Sequence, residues 1–122
     1  MTNNHKAPSA LKRGSAELAV LSVLAEAPLH GYQIAKRIRE QTAGVVSFDV
    51  ASLYPVLYAL ESRGLVKGEW EEAASSRSIG IRGRRRRCYH LTPEGRRRLK
   101  PLRREWREFF RALNHLARLA DA

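Results

Sequence analysis

Helix-breaking residues at three positions divide the first half of this chain into short helical segments. Pro28, Gly44 and Gly64 each follow apolar residues with helical spacing. Proline removes a backbone N–H and glycine adopts left-handed conformations, so both commonly end helices. The pattern predicts a first helix with Ser15 as its N-cap, followed by a second and a third helix that end at Gly44 and Gly64.

Two residues are alternative caps for the third helix. If Ser52 is the cap, Pro55 falls in the first turn, where its missing N–H costs little. If Asp49 is the cap, Pro55 removes one helical hydrogen bond. In both cases the helix turns the same apolar residues to a core, namely Leu53, Val56, Leu57 and Leu60.

A hairpin is predicted after the third helix. Leu65–Trp70 and Arg87–Leu91 have strand composition, and the residues between them (71–86) are rich in Ser, Gly, Ala and Arg. Three helices followed by a hairpin is the order of a winged helix-turn-helix. We therefore predict a mainly α fold of the α+β winged-helix class, with a two-stranded wing and a long C-terminal helix.

The last helix is predicted to begin after Thr92 as cap, with Pro93 at its first position. Its apolar residues recur at alternating steps of three and four, which is the heptad seam of a helix that packs along another helix. We expect this seam to form a homodimer interface, although Pro101 should bend or loosen the first turns. The interface residues expected are Leu99, Leu102, Trp106, Phe109, Leu113 and Leu116.

These elements divide the chain into a flexible N-terminal tail (1–14), a DNA-binding winged helix-turn-helix (15–92) and a dimerisation helix (93–122). The net charge is +11, and fifteen of the 23 Lys and Arg lie between positions 77 and 118, against three of the 12 Asp and Glu. An excess this one-sided indicates an anionic partner, either nucleic acid or an anionic membrane. No signal peptide or membrane-spanning run is recognised, so we expect a cytoplasmic, nucleoid-associated protein.

The sequence contains no recognised pattern of catalytic residues. The four histidines have no metal-ligand spacing, and the single cysteine, Cys88, excludes an intramolecular disulfide. No phosphate-binding loop or nucleophile elbow occurs. We predict that the protein is not an enzyme and that it has no cofactor and no metal site.

Three stretches together resemble the PadR family of bacterial transcriptional regulators in its short form. They are Pro-Leu-His-Gly-Tyr-Gln-Ile at 28–34, Ser-Leu-Tyr-Pro-Val-Leu-Tyr-Ala-Leu-Glu-Ser-Arg-Gly-Leu-Val at 52–66, and Tyr-His-Leu-Thr-Pro-Glu-Gly at 89–95. The resemblance implies a dimeric winged-helix protein, usually a repressor, that binds a palindromic operator. Some members respond to small aromatic effectors. The wing loop here is longer and richer in Arg than is usual in the family.

The third helix is expected to read double-stranded DNA in the major groove, while the second helix and the wing contact phosphates. For the tyrosines the alternative is packing on the first helix, and for the charged residues it is a solvated surface. His30 is expected to fix its turn by hydrogen bonding, and Tyr32 to lie in the core or near the DNA backbone. The predicted DNA contacts are Lys36, Arg37, Ser52, Tyr54, Tyr58, Arg63, Arg82, Arg84, Arg85 and Arg86.

Trp106 has two interpretations. The resemblance places it where drug-binding relatives carry a tryptophan that lines a cleft between subunits, which implies a small aromatic effector. The alternative is dimer packing beside Phe109 and Phe110. For the whole chain, the competing functions are a non-specific RNA- or DNA-binding protein and a protein-interaction adaptor whose charge keeps it soluble.

Overall fold

The computed structural model describes residues 9–72 and 85–118, with side chains from residue 14 onward except at 72 and 85. Four helices and three strands form the α+β winged-helix fold that the sequence predicted. The elements in chain order are α1 (Ser9–Leu24), β1 (Leu29–His30), α2 (Gly31–Gln41), α3 (Val50–Ser62), β2 (Val66–Glu72), β3 (Arg85–Leu91) and α4 (Pro93–Ala117).

Helix α1 begins earlier than predicted. It starts at Ser9 rather than after Ser15. Residues 10–13 are Ala, Leu, Lys and Arg, all strong helix formers, so the helix extends past the expected cap. The last six residues of the predicted 1–14 tail therefore belong to α1.

The two-residue strand β1 was missed. Leu29 pairs with Tyr89 and His30 with Cys88, and the sheet order is β1-β3-β2. A segment this short shows no alternation that a sequence pattern could detect. The strand matters because α2 begins directly after it, so the helix-turn-helix is joined to the wing at this point.

Helix α3 begins after Asp49, which settles the choice of cap. The Ser52 amide donates to the Asp49 carbonyl at 3.0 Å, so Ser52 already lies inside the helix. Pro55 is inside the helix as well, and α3 continues through it to Ser62. Gly64 ends the helix as predicted, with φ +76°, and the Leu65 amide closes back on the Leu60 carbonyl at 2.9 Å.

Both wing strands extend two residues further towards the hairpin tip than predicted. The antiparallel register runs from Val66 opposite Leu91 to Glu72 opposite Arg85. Glu71 also lies opposite Arg86, and pairs of opposite charge across neighbouring strands favour pairing. The polar loop between the strands, at 73–84, lies outside the described residues.

A single apolar core joins the helices to the inner face of the sheet. Tyr89 is fully buried at its centre, and the first two residues of the predicted seam, Leu99 and Leu102, are also buried, at 3% and 5% exposure. Other fully or almost fully buried residues are Val20, Leu21, Ile34, Leu53, Leu57, Leu60 and Val66. None of the helices in the described ranges is long and apolar enough to cross a membrane.

The start of α4 is held against the end of α3. The Thr92 hydroxyl accepts a hydrogen bond from the Gly95 amide at 2.9 Å, which confirms the predicted cap, and it donates to the Gly64 carbonyl at 2.7 Å. Gly95 has no room for a side chain, because a Cβ there would overlap the Leu65 carbonyl oxygen and the Leu91 side chain. The helix then continues through Pro101 to Ala117.

We predict that Gly95→Ala destabilises the fold by about 1–3 kcal/mol, because the new methyl group must push α4 away from Leu65. Gly14→Ala is the matched control. Gly14 lies within α1, and its added Cβ would meet only Trp106, at ordinary contact distance. That variant should gain about 0.5–1 kcal/mol from helix propensity. Urea unfolding midpoints measure both changes, and equal midpoints for the two variants would contradict the packing described.

Candidate nucleic-acid interface

Helix α3 presents an aromatic face to solvent. Tyr54 and Tyr58 are one turn apart and are 37% and 56% exposed. Their rings stack with centroids 6.1 Å apart and an interplanar angle of 24°. The buried residues Leu53, Leu57 and Leu60 lie on a different face of the helix, which packs into the core. The two tyrosine side chains are therefore accessible to a partner, and packing on α1 does not account for them.

Gly31 sets the distance between α2 and α3. A Cβ at this position would lie 3.1 Å from the Tyr54 hydroxyl, so the tyrosine comes closer to the N-terminus of α2 than a larger residue would allow. Tyr32, the next residue, is 65% exposed, which excludes the core as its location. The His-Gly-Tyr turn thus adds a third exposed tyrosine beside the α3 pair.

A cleft of about 280 Å³ separates this aromatic face from the wing. Its lining combines aromatic rings with two guanidinium groups. The residues are His30, Gly31, Tyr32, Tyr54, Tyr58, Trp70, Arg86, Arg87 and Tyr89. Tyr89 is buried, and this burial raises the pKa of its hydroxyl. The nearby Tyr58 hydroxyl raises this pKa further, by a smaller amount. The hydroxyl therefore stays protonated at neutral pH.

The carboxylate of Glu61 joins α3 to both strands of the wing. One oxygen accepts from Arg87 Nη2 at 2.7 Å and from the Gly68 amide at 3.2 Å. Arg87 Nη2 also donates to the Gly68 carbonyl at 3.3 Å, and its guanidinium lies over the Trp70 ring at 5.3 Å. Arg87 therefore has a structural role in the wing.

Arg86 differs from Arg87. It is exposed and lines the cleft beside the α3 tyrosines. Its neighbour in the strand, Arg85, is described only in its backbone, and Arg82 and Arg84 lie outside the described residues. Four wing arginines were predicted to contact DNA. Among those whose side chains are described, Arg86 is the one that lies beside Tyr54 and Tyr58.

The two basic residues predicted on α2 have acidic neighbours. Arg37 Nη1 lies 3.2 Å from Glu26, which also accepts from Gln41 at 2.9 Å, so this guanidinium is tied to the residues after α1. Lys36 is exposed, and its Nζ lies 4.0 Å from Glu40 in the next turn. Exposed pairs of this kind contribute little and exchange readily, so Lys36 is the freer of the two for a phosphate.

Arg63 does not join the tyrosine face. It follows the last turn of α3, and its two terminal nitrogens lie 3.2 and 3.4 Å from the Glu17 carboxylate of α1. Arg98 of α4 approaches the same carboxylate at 3.5 Å. The Glu17 carboxylate therefore links α1 to Arg63 at the end of α3 and to Arg98 of α4, and the structure does not bring Arg63 to the tyrosines with which it was predicted to contact DNA. Ser52 is exposed in the first turn of α3.

The outer half of α4 carries an exposed aromatic cluster. Trp106 is partly buried against the core, and it contacts Phe109 and Phe110 with ring centroids 5.8 and 5.4 Å away. Phe109, Phe110 and Leu113 are 50%, 52% and 38% exposed, and Leu116 is 79% exposed. The predicted seam therefore divides, because Leu99 and Leu102 pack inside the protomer whereas the residues after Trp106 are left uncovered.

Comparison with known proteins gives a family for this arrangement. Residues 20–101, more than half of the chain, match the model of the transcriptional regulator PadR-like family. A transcriptional regulator from Clostridium thermocellum has a similar structure, with a TM-score of 0.74 and 29% identity over 89% of this chain and 96% of that one. A PadR family transcriptional regulator from Eggerthella lenta gives 0.71 and 30% identity over 88% and 86%.

The structure of Bacillus subtilis PadR in complex with operator DNA is also similar. Its TM-score is 0.60 at 22% identity, and the match covers 70% of this chain and 45% of that one. This likeness concerns the fold.

Proposed function

This chain belongs to the transcriptional regulator PadR-like family and is a DNA-binding regulator, and we propose that it acts as a dimeric repressor on a palindromic operator. In this proposal α3 enters the major groove and the wing lies along the adjacent backbone. The repressor role rests on the family resemblance. A relative of the same fold is known in complex with operator DNA.

One observation carries the proposal for DNA contact. Tyr54, Tyr58 and Arg86 share a single exposed cleft between α3 and the wing. Phenol hydroxyls donate to phosphates and to base edges, and an arginine beside them neutralises the phosphate charge. Lys36 and Ser52 extend the contact surface, and the wing arginines Arg82, Arg84 and Arg85 remain predicted contacts.

We predict that Tyr54→Ala weakens operator binding about 5- to 30-fold, because each half-site loses one hydrogen bond, about 1–2 kcal/mol together. Arg86→Ala should weaken binding. It should also make log K fall less steeply with log salt, by about 0.9 for each phosphate that the arginine neutralises in the wild type. Fluorescence anisotropy with the chain's own upstream DNA, at several salt concentrations, measures both.

Arg63→Ala is the matched control for this experiment. It removes the same charge as Arg86→Ala, but from the intramolecular contact with Glu17, so the salt slope should not change. Random DNA of equal length distinguishes sequence-specific binding from the alternative function, which is non-specific nucleic-acid binding. If specific and random DNA bind equally at every salt concentration, the protein is a non-specific nucleic-acid binder. If Tyr54→Ala binds normally, α3 is not the reading helix.

We propose that the exposed α4 cluster forms the dimer interface. Aromatic and leucine side chains left this exposed on one helix face are typical of a surface that a partner covers. The heptad spacing from Trp106 to Leu116 fits a second helix, and a second copy of α4 offers the same spacing. Leu99 and Leu102 are excluded from this interface, because the protomer's own core already covers them.

We predict that Leu113→Glu converts the dimer to a monomer, because two carboxylates would be buried at equivalent positions of a twofold interface. Asn114→Glu adds the same charge one residue away, outside the heptad seam, and should remain dimeric. Sedimentation velocity reports the two masses. A wild-type chain that sediments as a monomer would refute the proposed interface, as would dimers that persist in Leu113→Glu.

We also propose that a planar aromatic effector binds beside Trp106. A cavity of about 300 Å³ lies at Glu105, Trp106 and Phe109, which is the volume of a small ligand site. A ligand that stacks on the indole should quench its emission, and Trp70→Phe leaves Trp106 as the single tryptophan. Titration of this variant with a panel of planar aromatics should give saturable quenching. A flat response across the panel would leave dimer packing as the role of Trp106.

A further inference from the structure

Three metal-ligand side chains meet on the wing. His30 of β1, Glu71 of β2 and Cys88 of β3 place a ring nitrogen, a carboxylate oxygen and a sulfur within 4.8 Å of one another. The positions are far apart in the sequence, so spacing rules could not detect them. Each of the three strands contributes one donor.

The sheet pairing places these residues on one face. His30 lies opposite Cys88, and residues paired in this way project to the same side. The adjacent pair, Leu29 and Tyr89, is buried in the core, so the donors belong to the outer face. Cys88 is nevertheless only 8% exposed and is a free cysteine.

Hydrogen bonds fix the orientation of the His30 ring. The Gln33 Oε1 atom accepts from the His30 backbone amide at 2.8 Å, which identifies that atom as the oxygen. The same oxygen lies 2.8 Å from His30 Nδ1, so Nδ1 must carry a proton and donate it. In the neutral ring, Nε2 is therefore the nitrogen with the free lone pair.

That lone pair faces another acceptor. His30 Nε2 lies 3.1 Å from the Glu71 carboxylate. Two acceptors at this distance need a proton or a metal ion between them. A histidine whose far nitrogen donates to an oxygen is also the usual arrangement of a metal ligand, since the outer hydrogen bond fixes tautomer and orientation.

We propose that His30, Glu71 and Cys88 form a binding site for a thiophilic divalent cation, of which zinc is the best match. Nitrogen, sulfur and carboxylate oxygen are the ligands that zinc takes in proteins, and three protein ligands leave one position open. Ligand atoms around tetrahedral zinc lie about 3.3–3.8 Å apart, a distance derived from zinc–ligand bonds of about 2.0–2.3 Å. The His30–Glu71 pair, at 3.1 Å, is already near this distance, and all three donors lie within 4.8 Å of one another.

The surroundings of the cysteine are consistent with a cation. The Glu71 carboxylate oxygen lies within 4.8 Å of the Cys88 sulfur. Glu69 is the cross-strand neighbour of Cys88 and is a second acidic group beside the sulfur. When zinc binds, the thiol proton passes to solvent and the thiolate becomes the ligand.

Cation binding would clamp the wing to the start of α2. His30 immediately precedes α2 and lines the cleft beside Tyr54 and Arg86. The ion adds positive charge next to this cleft and cross-links all three strands. Given the proposed DNA contacts, zinc should therefore strengthen operator binding.

Cobalt(II) tests the site directly, because thiolate ligation gives a charge-transfer band in the near ultraviolet. Chelator-treated, tag-free full-length protein should bind one Co²⁺ per chain with this band, and Zn²⁺ should displace it. The band should be absent in Cys88→Ser. The affinity for Co²⁺ should fall at least tenfold in His30→Gln. It should fall about 10- to 100-fold in Gln33→Ala, which loses the hydrogen bond to His30 Nδ1. Thermal melting confirms that each variant is folded.

His90→Gln is the matched control. His90 lies on the same outer face, with Nε2 3.4 Å from Glu69, but it is not one of the three donors. Its Co²⁺ band and affinity should equal those of the wild type. The proposed site is wrong if the wild type shows no charge-transfer band, if the band persists in Cys88→Ser, or if His90→Gln lowers the affinity as much as His30→Gln.

Operator binding with and without Zn²⁺ tests the coupling separately. Zinc should strengthen operator binding by the wild type. It should not change the operator affinity of Cys88→Ser. If the Co²⁺ band is present but zinc does not alter DNA affinity, the coupling is wrong and the metal site stands. If the protein binds no specific DNA at all, the proposed function fails, whereas the spectroscopic result is unaffected.

Discussion

The Glu61 carboxylate determines where the wing lies relative to α3. It accepts from Arg87 and from the Gly68 amide, which lie on the two strands of the hairpin, while Glu61 itself belongs to α3. Both side chains are about three-quarters buried. Hydrogen bonds to charged groups contribute about 1.5–3 kcal/mol, and removal of one partner leaves the other poorly solvated. The cleft that holds Tyr54, Tyr58 and Arg86 depends on this connection.

The structure shows that the positive charges of the chain are not equivalent. Arg37, Arg63 and Arg87 each lie against a carboxylate from another part of the chain, and only the Arg87 pair is about three-quarters buried on both sides. Arg86 and Lys36 remain exposed. A count of basic residues indicated an anionic partner, but it could not separate the arginines that contact carboxylates of the protein from those that stay exposed.

Features with a local physical cause were predictable from the sequence. The Thr92 cap and the Gly64 helix end depend on neighbouring residues alone, and the structure confirms both. For the α3 tyrosines the sequence left packing on the first helix as an alternative, and their exposure decides against it. By contrast, the strand β1 forms only because β3 lies beside it, and the helical residues before Ser15 gave no boundary signal.

Other features depended on tertiary contacts that no pattern contains. Heptad spacing shows which residues of α4 share a face, but it does not show what covers them. The core of the protomer covers Leu99 and Leu102, whereas Phe109 and Leu113 are left exposed. In the same way His30 and Cys88 meet only through strand pairing, so the sequence predicted no metal site where the structure brings ligands together.

Hydroxyl-radical footprinting of the purified protein on its own upstream DNA tests the central claim most directly. A dimer that places two copies of α3 in successive major grooves should protect two segments whose centres are about 10–10.5 base pairs, or a multiple of that, apart. The two segments should be related by a palindrome and should overlap the RNA polymerase site. Uniform protection along the fragment, equal to that on random DNA, would contradict the account.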